Sequence, residues 1–189
     1  MGGESHGIAA SMANDLSRIT ARNADSGLIH VIIETPRGSR NKYKYDETHH
    51  LFMLHKHLPR GAVFPFDFGF IPSTMGEDGD PLDVLVLMDQ PTFTGCFITV
   101  RLLGAIQANQ TNARGTVRND RLIGVPETDK IRPRESSIAD LAPGILDEIE
   151  HFFVSYNEAE DRTFEVLGRC GAHDAGLLVD EAMVKPLPK

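Results

Sequence analysis

Gly76-Glu77-Asp78-Gly79-Asp80-Pro81-Leu82-Asp83-Val84-Leu85-Val86-Leu87 crowds carboxylates onto a Gly/Pro turn and then runs straight into an unbroken apolar segment. Gly and Pro punctuate turns, and a short aliphatic run behind them reads as a buried strand, residues 82–88. Carboxylates this close repel one another and raise each other's pKa unless a cation sits among them. Hard oxygen ligands on a tight loop suit Mg2+ or Ca2+. An EF-hand is the competing loop, but Val84 to Leu87 occupy the positions of its later ligands and no closing Glu follows. A solvated acidic turn is the plain alternative, and composition alone favours it.

Outward from this turn the chain reads as several short strands followed by helices. Further strand candidates are residues 28–33, 40–45, 97–105, 121–125 and 163–168, set apart by Gly, Pro, Asn and Asp clusters. Phe64, Phe66, Phe68 and Phe70 alternate with Pro65, Asp67 and Gly69 and are expected to fill a core. Ile145, Ile149, Phe152, Phe153 and Tyr156 fall on one helical face, with Pro143 placed for a helix start. A second helix is expected over residues 174–183 with Asp174 as its N-cap, and a short one over 12–19. This pattern predicts an α+β fold, most simply a small five-stranded barrel with flanking helices. Residues 1–24 read as a tail and 25–189 as a single domain.

Composition narrows the function. With 189 residues the chain holds one good core. A net charge of −8 argues against a nucleic-acid groove. No apolar stretch is long enough to span a bilayer, and the N-terminal residues lack secretory-signal features, so the cytoplasm is the expected address. Cys96 and Cys170 show no ligand spacing and are expected as reduced, packed thiols. An acidic chain can still take an anionic substrate when metal ions bridge the two.

Arg40, Lys42 and Lys44 share one face of an extended strand, just after Glu34. A basic row beside an acidic turn suits a metal-bridged phosphate site, and a charged edge strand explains the row equally well. Spacing leaves both readings open. His49, His50, His55 and His57 lack the Cys or Glu partners of a zinc site; His55 and His57 are expected on one strand face. His151 is expected in the core or at a subunit contact.

At this point the residues resemble those of the soluble family I inorganic pyrophosphatases. Asp78-Gly79-Asp80-Pro81-Leu82-Asp83-Val84 matches that family's signature, D-G-D-P-hydrophobic-D-hydrophobic. Similar segments follow in family order: Val31 to Pro36, Asn41 to Asp46, Phe64 to Pro72, Arg121 to Pro126, and His151-Phe152-Phe153, so that residues 28–170 are covered. The resemblance implies an OB-type barrel, hydrolysis of pyrophosphate, Mg2+ with Mn2+ in substitution, and a homo-oligomer, most simply a hexamer. It implies that Asp78 and Asp83 bind metals and that Asp80 accepts the proton of the attacking water. Glu34 would hold a metal through water, and Asp120 would join the metal set. Lys42, Lys44, His55, Arg121 and Tyr156 would hold the phosphates. A non-catalytic metal or phosphate module and a hydrolase of another phosphoanhydride are the competing functions.

The departures concentrate in the site. Asn112 and Asn119 align with metal-binding aspartates, although Asp120 is adjacent and could substitute through a bulge or slip. Lys44 stands where the family has a carboxylate, His55 near an Arg or Lys, Phe68 for a Tyr, Arg121 for a Lys and Asn157 for a Lys. Losing two aspartates and gaining Lys44 removes negative charge from the metal cluster, which predicts weaker metal binding and slower turnover.

Overall fold

The computed structural model describes residues 16–128 and 136–183. Five strands pair into a closed ring: β1 (Ile29–Thr35), β4 (Asp67–Phe70), β5 (Asp83–Val86), β8 (Arg121–Pro126) and β6 (Phe97–Asn112), with β6 returning to β1. Closure leaves no free edge inside the ring. Off it, β7 (Gly115–Arg118) and β9 (Thr163–Gly171) both pair with β6, while β2 (Asn41–Asp46) and β3 (Leu51–His57) form a separate hairpin. Helices α1 (Ile145–Glu158) and α2 (Ala172–Ala182) flank the strands. The five-stranded OB-type architecture with flanking helices is therefore present.

The apolar run after the acidic turn is covered on both faces. Leu85 and Leu87 join one core with Phe64, Phe66, Phe68, Ile149 and Phe153, whereas Val84 and Val86 join the other with Val31, Ile71, Ala175 and Val179. A strand buried on both sides reads as continuous rather than alternating hydrophobicity. Helix α1 closes the first core and α2 the second, each through one apolar stripe.

Several boundaries differ from the sequence expectation. Strand β6 runs to Asn112 rather than residue 105, because β7 and β9 pair with its polar half and satisfy its backbone. Strand β9 likewise reaches Gly171. Gly171 caps α2 without a side-chain bond, and Asp174 lies in the first turn, where its charge favours the helix dipole. The α1 N-cap is Gly144 in the left-handed region, with Pro143 one residue earlier. His151 is exposed rather than core, its Nδ1 2.9 Å from the Asp147 carbonyl oxygen. Of the helix expected over residues 12–19, the part before 16 lies outside the described residues, and a 3-10 turn spans Leu16–Arg18. Ala21, inside the stretch read as a tail, is buried in the second core. Both cysteines are free and partly buried.

Gly69 holds the ring together at its tightest approach. It pairs with Ile33 on one side and Val84 on the other, and a Cβ there would enter the carbonyl of Ile32. That neighbour is backbone in a paired strand and cannot step aside. Gly69→Ala is expected to cost at least about 2 kcal/mol, read from the urea midpoint at unchanged slope. An unshifted midpoint would show that the ring adjusts freely.

Candidate active site

The acidic turn is built by its own backbone. Gly76 donates to the Asp80 carbonyl at 2.8 Å, and Gly79 to the Gly76 carbonyl at 3.1 Å. Gly79 sits at φ 85°, a region that favours glycine. The Asp80 amide donates to Asp78 Oδ1 at 3.1 Å, and the Leu82 amide to Thr74 Oγ1 at 3.0 Å, which aims the chain into β5.

Register supplies the next residues. β5 and β8 are parallel with Val84 beside Leu122, so Asp83 and Arg121, one residue earlier on each strand, come together at the same strand ends. Arg121 Nη1 lies 2.8 Å from Asp83 Oδ2. It is buried, faces the rings of Phe153 and Phe164, and also donates to the carbonyls of Asn119 and Asp120 and to Asn119 Oδ1. Asn119 Nδ2 in turn donates to Asp78 Oδ2 at 3.0 Å and to Gln110 Oε1 at 3.1 Å.

Glu34 arrives through a bulge. Ile33 faces Gly69 and Thr35 faces Phe68, which makes Glu34 an extra residue re-aimed out of strict alternation. Its Oε1 accepts from the Tyr45 amide at 3.0 Å, which ties β1 to the β2–β3 hairpin. Burial pushes its carboxyl up to about 7, with Asp83 adding to the rise, while the Tyr45 amide and Lys42 and Lys44 hold it back. Asp78 is also raised, first by burial and then by the charges of Asp83 and Asp80, against the pull of the Asp80 amide.

The hairpin carries the cations. Lys44 Nζ lies 2.9 Å from both oxygens of Asp80. Burial pulls the Lys44 ammonium down, but the bond to Asp80 and the charges of Asp80, Glu34 and Asp83 outweigh it and leave it raised. Lys42 Nζ is 3.3 Å from the Tyr156 hydroxyl and lies over the Phe68 ring. Arg40 points elsewhere, its Nε donating to the Leu58 carbonyl at 2.8 Å.

The hairpin pairs Lys42 with Lys56 and Tyr43 with Leu54, so His55 is an extra residue in β3. His55 and His57 thus do not keep the regular alternation expected of them. His57 Nδ1 sits 2.8 Å from Asn41 Oδ1. His55 is held below its usual pKa by burial and then by Lys42, Lys56 and Lys44, which places it among the lysines.

Asp120 is buried, and its Oδ1 accepts from the Ala108 amide at 3.0 Å and from Arg118 Nε. Asn112 accepts from the Arg114 amide at 2.7 Å and shapes the β6–β7 turn. Asn157 is buried in α1, donating to the Phe153 carbonyl at 2.8 Å. Among the described residues no three His, Cys, Asp or Glu side chains form a ready-made metal cage.

Two groups go beyond the sequence expectation. Lys56, opposite Lys42, is neutralised by Glu160 at 2.8 Å and lies over the Tyr156 ring. Facing lysines on a hairpin were the available signal that an acid had to come from elsewhere. Asp67, read only as a spacer between phenylalanines, is buried and accepts from the Arg37 amide at 2.7 Å and from the Thr92 amide at 2.9 Å.

The sequence and the fold are similar to those of known proteins. Residues 31–185 match the sequence profile of the family described as inorganic pyrophosphatase. The chain is 46% identical over 154 residues to an inorganic pyrophosphatase of Synechocystis sp., covering 82% of this chain and 88% of that one. It is 36% identical over 171 residues to one from Methanosarcina acetivorans, covering 90% and 97%. The crystal structure of the inorganic pyrophosphatase from Thermus thermophilus superposes with a TM-score of 0.81 at 33% identity, covering 89% of this chain and 96% of that chain. With the signature turn, the closed ring and the cation-bearing hairpin in the same chain, this protein belongs to the inorganic pyrophosphatase family.

Proposed function

We propose that this chain hydrolyses inorganic pyrophosphate to two phosphates, using Mg2+, at the cleft between the acidic turn and the β2–β3 hairpin. The observation that carries this reading is the meeting of Asp78, Asp80, Asp83 and Glu34 with Lys42, Lys44 and Arg121 in one site. Phosphoryl transfer needs mainly positioning and neutralised charge, and this arrangement offers both.

The donor set suits a hard divalent cation. Mg2+ is usually held by one or two carboxylates, with waters and phosphate oxygens completing its shell. Asp78 and Glu34 would hold it, since their direct hydrogen-bond donors are neutral: the Asn119 amide group and the Asp80 amide for one, the Tyr45 amide for the other. Asp83 would join them through Oδ1, since Arg121 meets its Oδ2, and Asp120 through Oδ2, since Ala108 and Arg118 engage its Oδ1. When bound, such an ion neutralises phosphate charge and makes water more acidic.

The remaining roles belong to the chain. Lys42, with the Tyr156 hydroxyl beside it, binds one phosphate, and Arg121 and His55 add donors. Asp80 takes the proton of the attacking water as its oxygen bonds to one phosphorus and the bridging P–O bond breaks. The leaving phosphate carries that bond's electron pair. Homo-oligomeric assembly in the cytoplasm completes the reading. It is supported by the exposed apolar side chains Leu51, Met53, Phe93 and Phe97 and by the lack of a membrane-length apolar helix among the described residues.

Phosphate release from pyrophosphate across a Mg2+ titration tests the proposal, and saturable release is the expected result. A second reading, a non-catalytic phosphate-binding member, is favoured by the pairing of Asp80 with Lys44 and of Asp83 with Arg121. No release at any Mg2+ concentration would select it.

A further inference from the structure

We propose that Lys44 is a built-in counter-ion that occupies Asp80 until pyrophosphate draws it away, so that divalent cations load together with the substrate rather than before it. The inference rests on the pyrophosphatase reading and adds how that site is loaded.

Each aspartate of the signature has a side-chain donor from the chain itself. Lys44 Nζ spans both oxygens of Asp80, Arg121 meets Asp83, and Asn119 donates to Asp78. An incoming cation therefore meets positive charge on two of the three and must displace or adjoin it.

The two cations are not alike. Arg121 is buried, wedged against Phe153 and Phe164, and tied to three oxygens of Asn119 and Asp120, so it stays in place. Lys44 and Asp80 are half-exposed, with side chains 42% and 57% accessible. An ion pair so open to water is weak and breakable. Lysine is also a compact charge on a flexible stem, suited to moving between two anions. A phosphate docked on neighbouring Lys42 would offer Nζ a second acceptor. Transfer of Nζ to that phosphate frees both Asp80 oxygens and withdraws positive charge from Glu34 and Asp83, which would hold the cation, at the moment the substrate brings its own.

Mn2+ is the probe, and the electron paramagnetic resonance signal of free Mn2+ reports binding to the substrate-free protein. Lys44→Met is expected to bind Mn2+ at least tenfold more tightly than wild type, and Lys44→Glu, which adds a carboxylate, more tightly still. Lys56→Met removes an equal charge from the same hairpin, one already matched by Glu160. It should stay within twofold of wild type. Wild type binding Mn2+ as tightly as Lys44→Met would overturn the proposal, as would a Lys56→Met effect of equal size. Thermal unfolding checks that each variant folds, and Lys44→Gln repeats the test if Lys44→Met does not. Tight Mn2+ binding by a wild type that still releases phosphate defeats this inference and leaves the pyrophosphatase reading standing. The predicted affinity shift without any phosphate release does the reverse.

Discussion

Asp80→Asn is expected to lower pyrophosphate turnover by about 10²–10⁴-fold, the usual contribution of a positioned general base. Asparagine keeps the shape of the side chain and cannot take the proton of the attacking water. The turn should survive, because the bonds that build it run from Gly76, Gly79 and Asp80 backbone atoms rather than from the Asp80 side chain. Loss of the carboxylate also releases Lys44, whose Nζ is then available to phosphate. The KM for pyrophosphate should therefore stay level or fall while kcat collapses. A variant within threefold of wild-type kcat would remove Asp80 from the chemistry.

Glu34→Gln is expected to stabilise the metal-free protein at pH 8 and to leave it nearly unchanged near pH 4.5. The Glu34 carboxyl rises from 4.5 to about 7 in the folded chain, chiefly through burial. A raised carboxyl binds its proton more tightly when folded, so its contribution to stability is present below pH 4.5 and is lost as pH climbs toward 7. The full span is roughly 3 kcal/mol, with the slope set by the proton difference between states. Glutamine does not titrate, and its carbonyl oxygen can accept the Tyr45 amide as before. Urea unfolding in chelator at several pH values reads the difference between the two proteins. A gap that does not change between pH 5 and pH 8 would show that burial leaves Glu34 untouched. Divalent cations should narrow the gap at pH 8, because they stabilise only the carboxylate form.

The second outcome depends on a local feature that strand periodicity does not predict. Glu34 reaches the site from a bulge in β1, and His55 from a bulge in β3. Alternation with period two describes a regular strand, whereas a bulge is a response to the partner strand and has no signature on its own strand. Strand β6 outruns its expected end for a related reason. Beyond residue 105 the polar side chains of Gln107, Asn109 and Gln110 lie in a strand because β7 and β9 pair with them.

The acidic turn was legible in the sequence because its structure is local. Glycine conformations, a proline and backbone bonds within a few residues shape it, and the apolar run behind it must be buried wherever it lies. The same holds for the apolar face of α1 and for the family to which the chain belongs. Only the tertiary structure decided what those carboxylates meet. Lys44 is 36 residues from Asp80 in sequence, and Asn119 is 41 from Asp78. Which donor reaches which oxygen follows from ring closure, parallel register and hairpin placement, all of them long-range. The sequence by itself determined the chemistry of the turn and the burial of the strand behind it; the long-range pairings determined the ring, and determined that two of the turn's three aspartates face cations of the chain's own, Lys44 and Arg121.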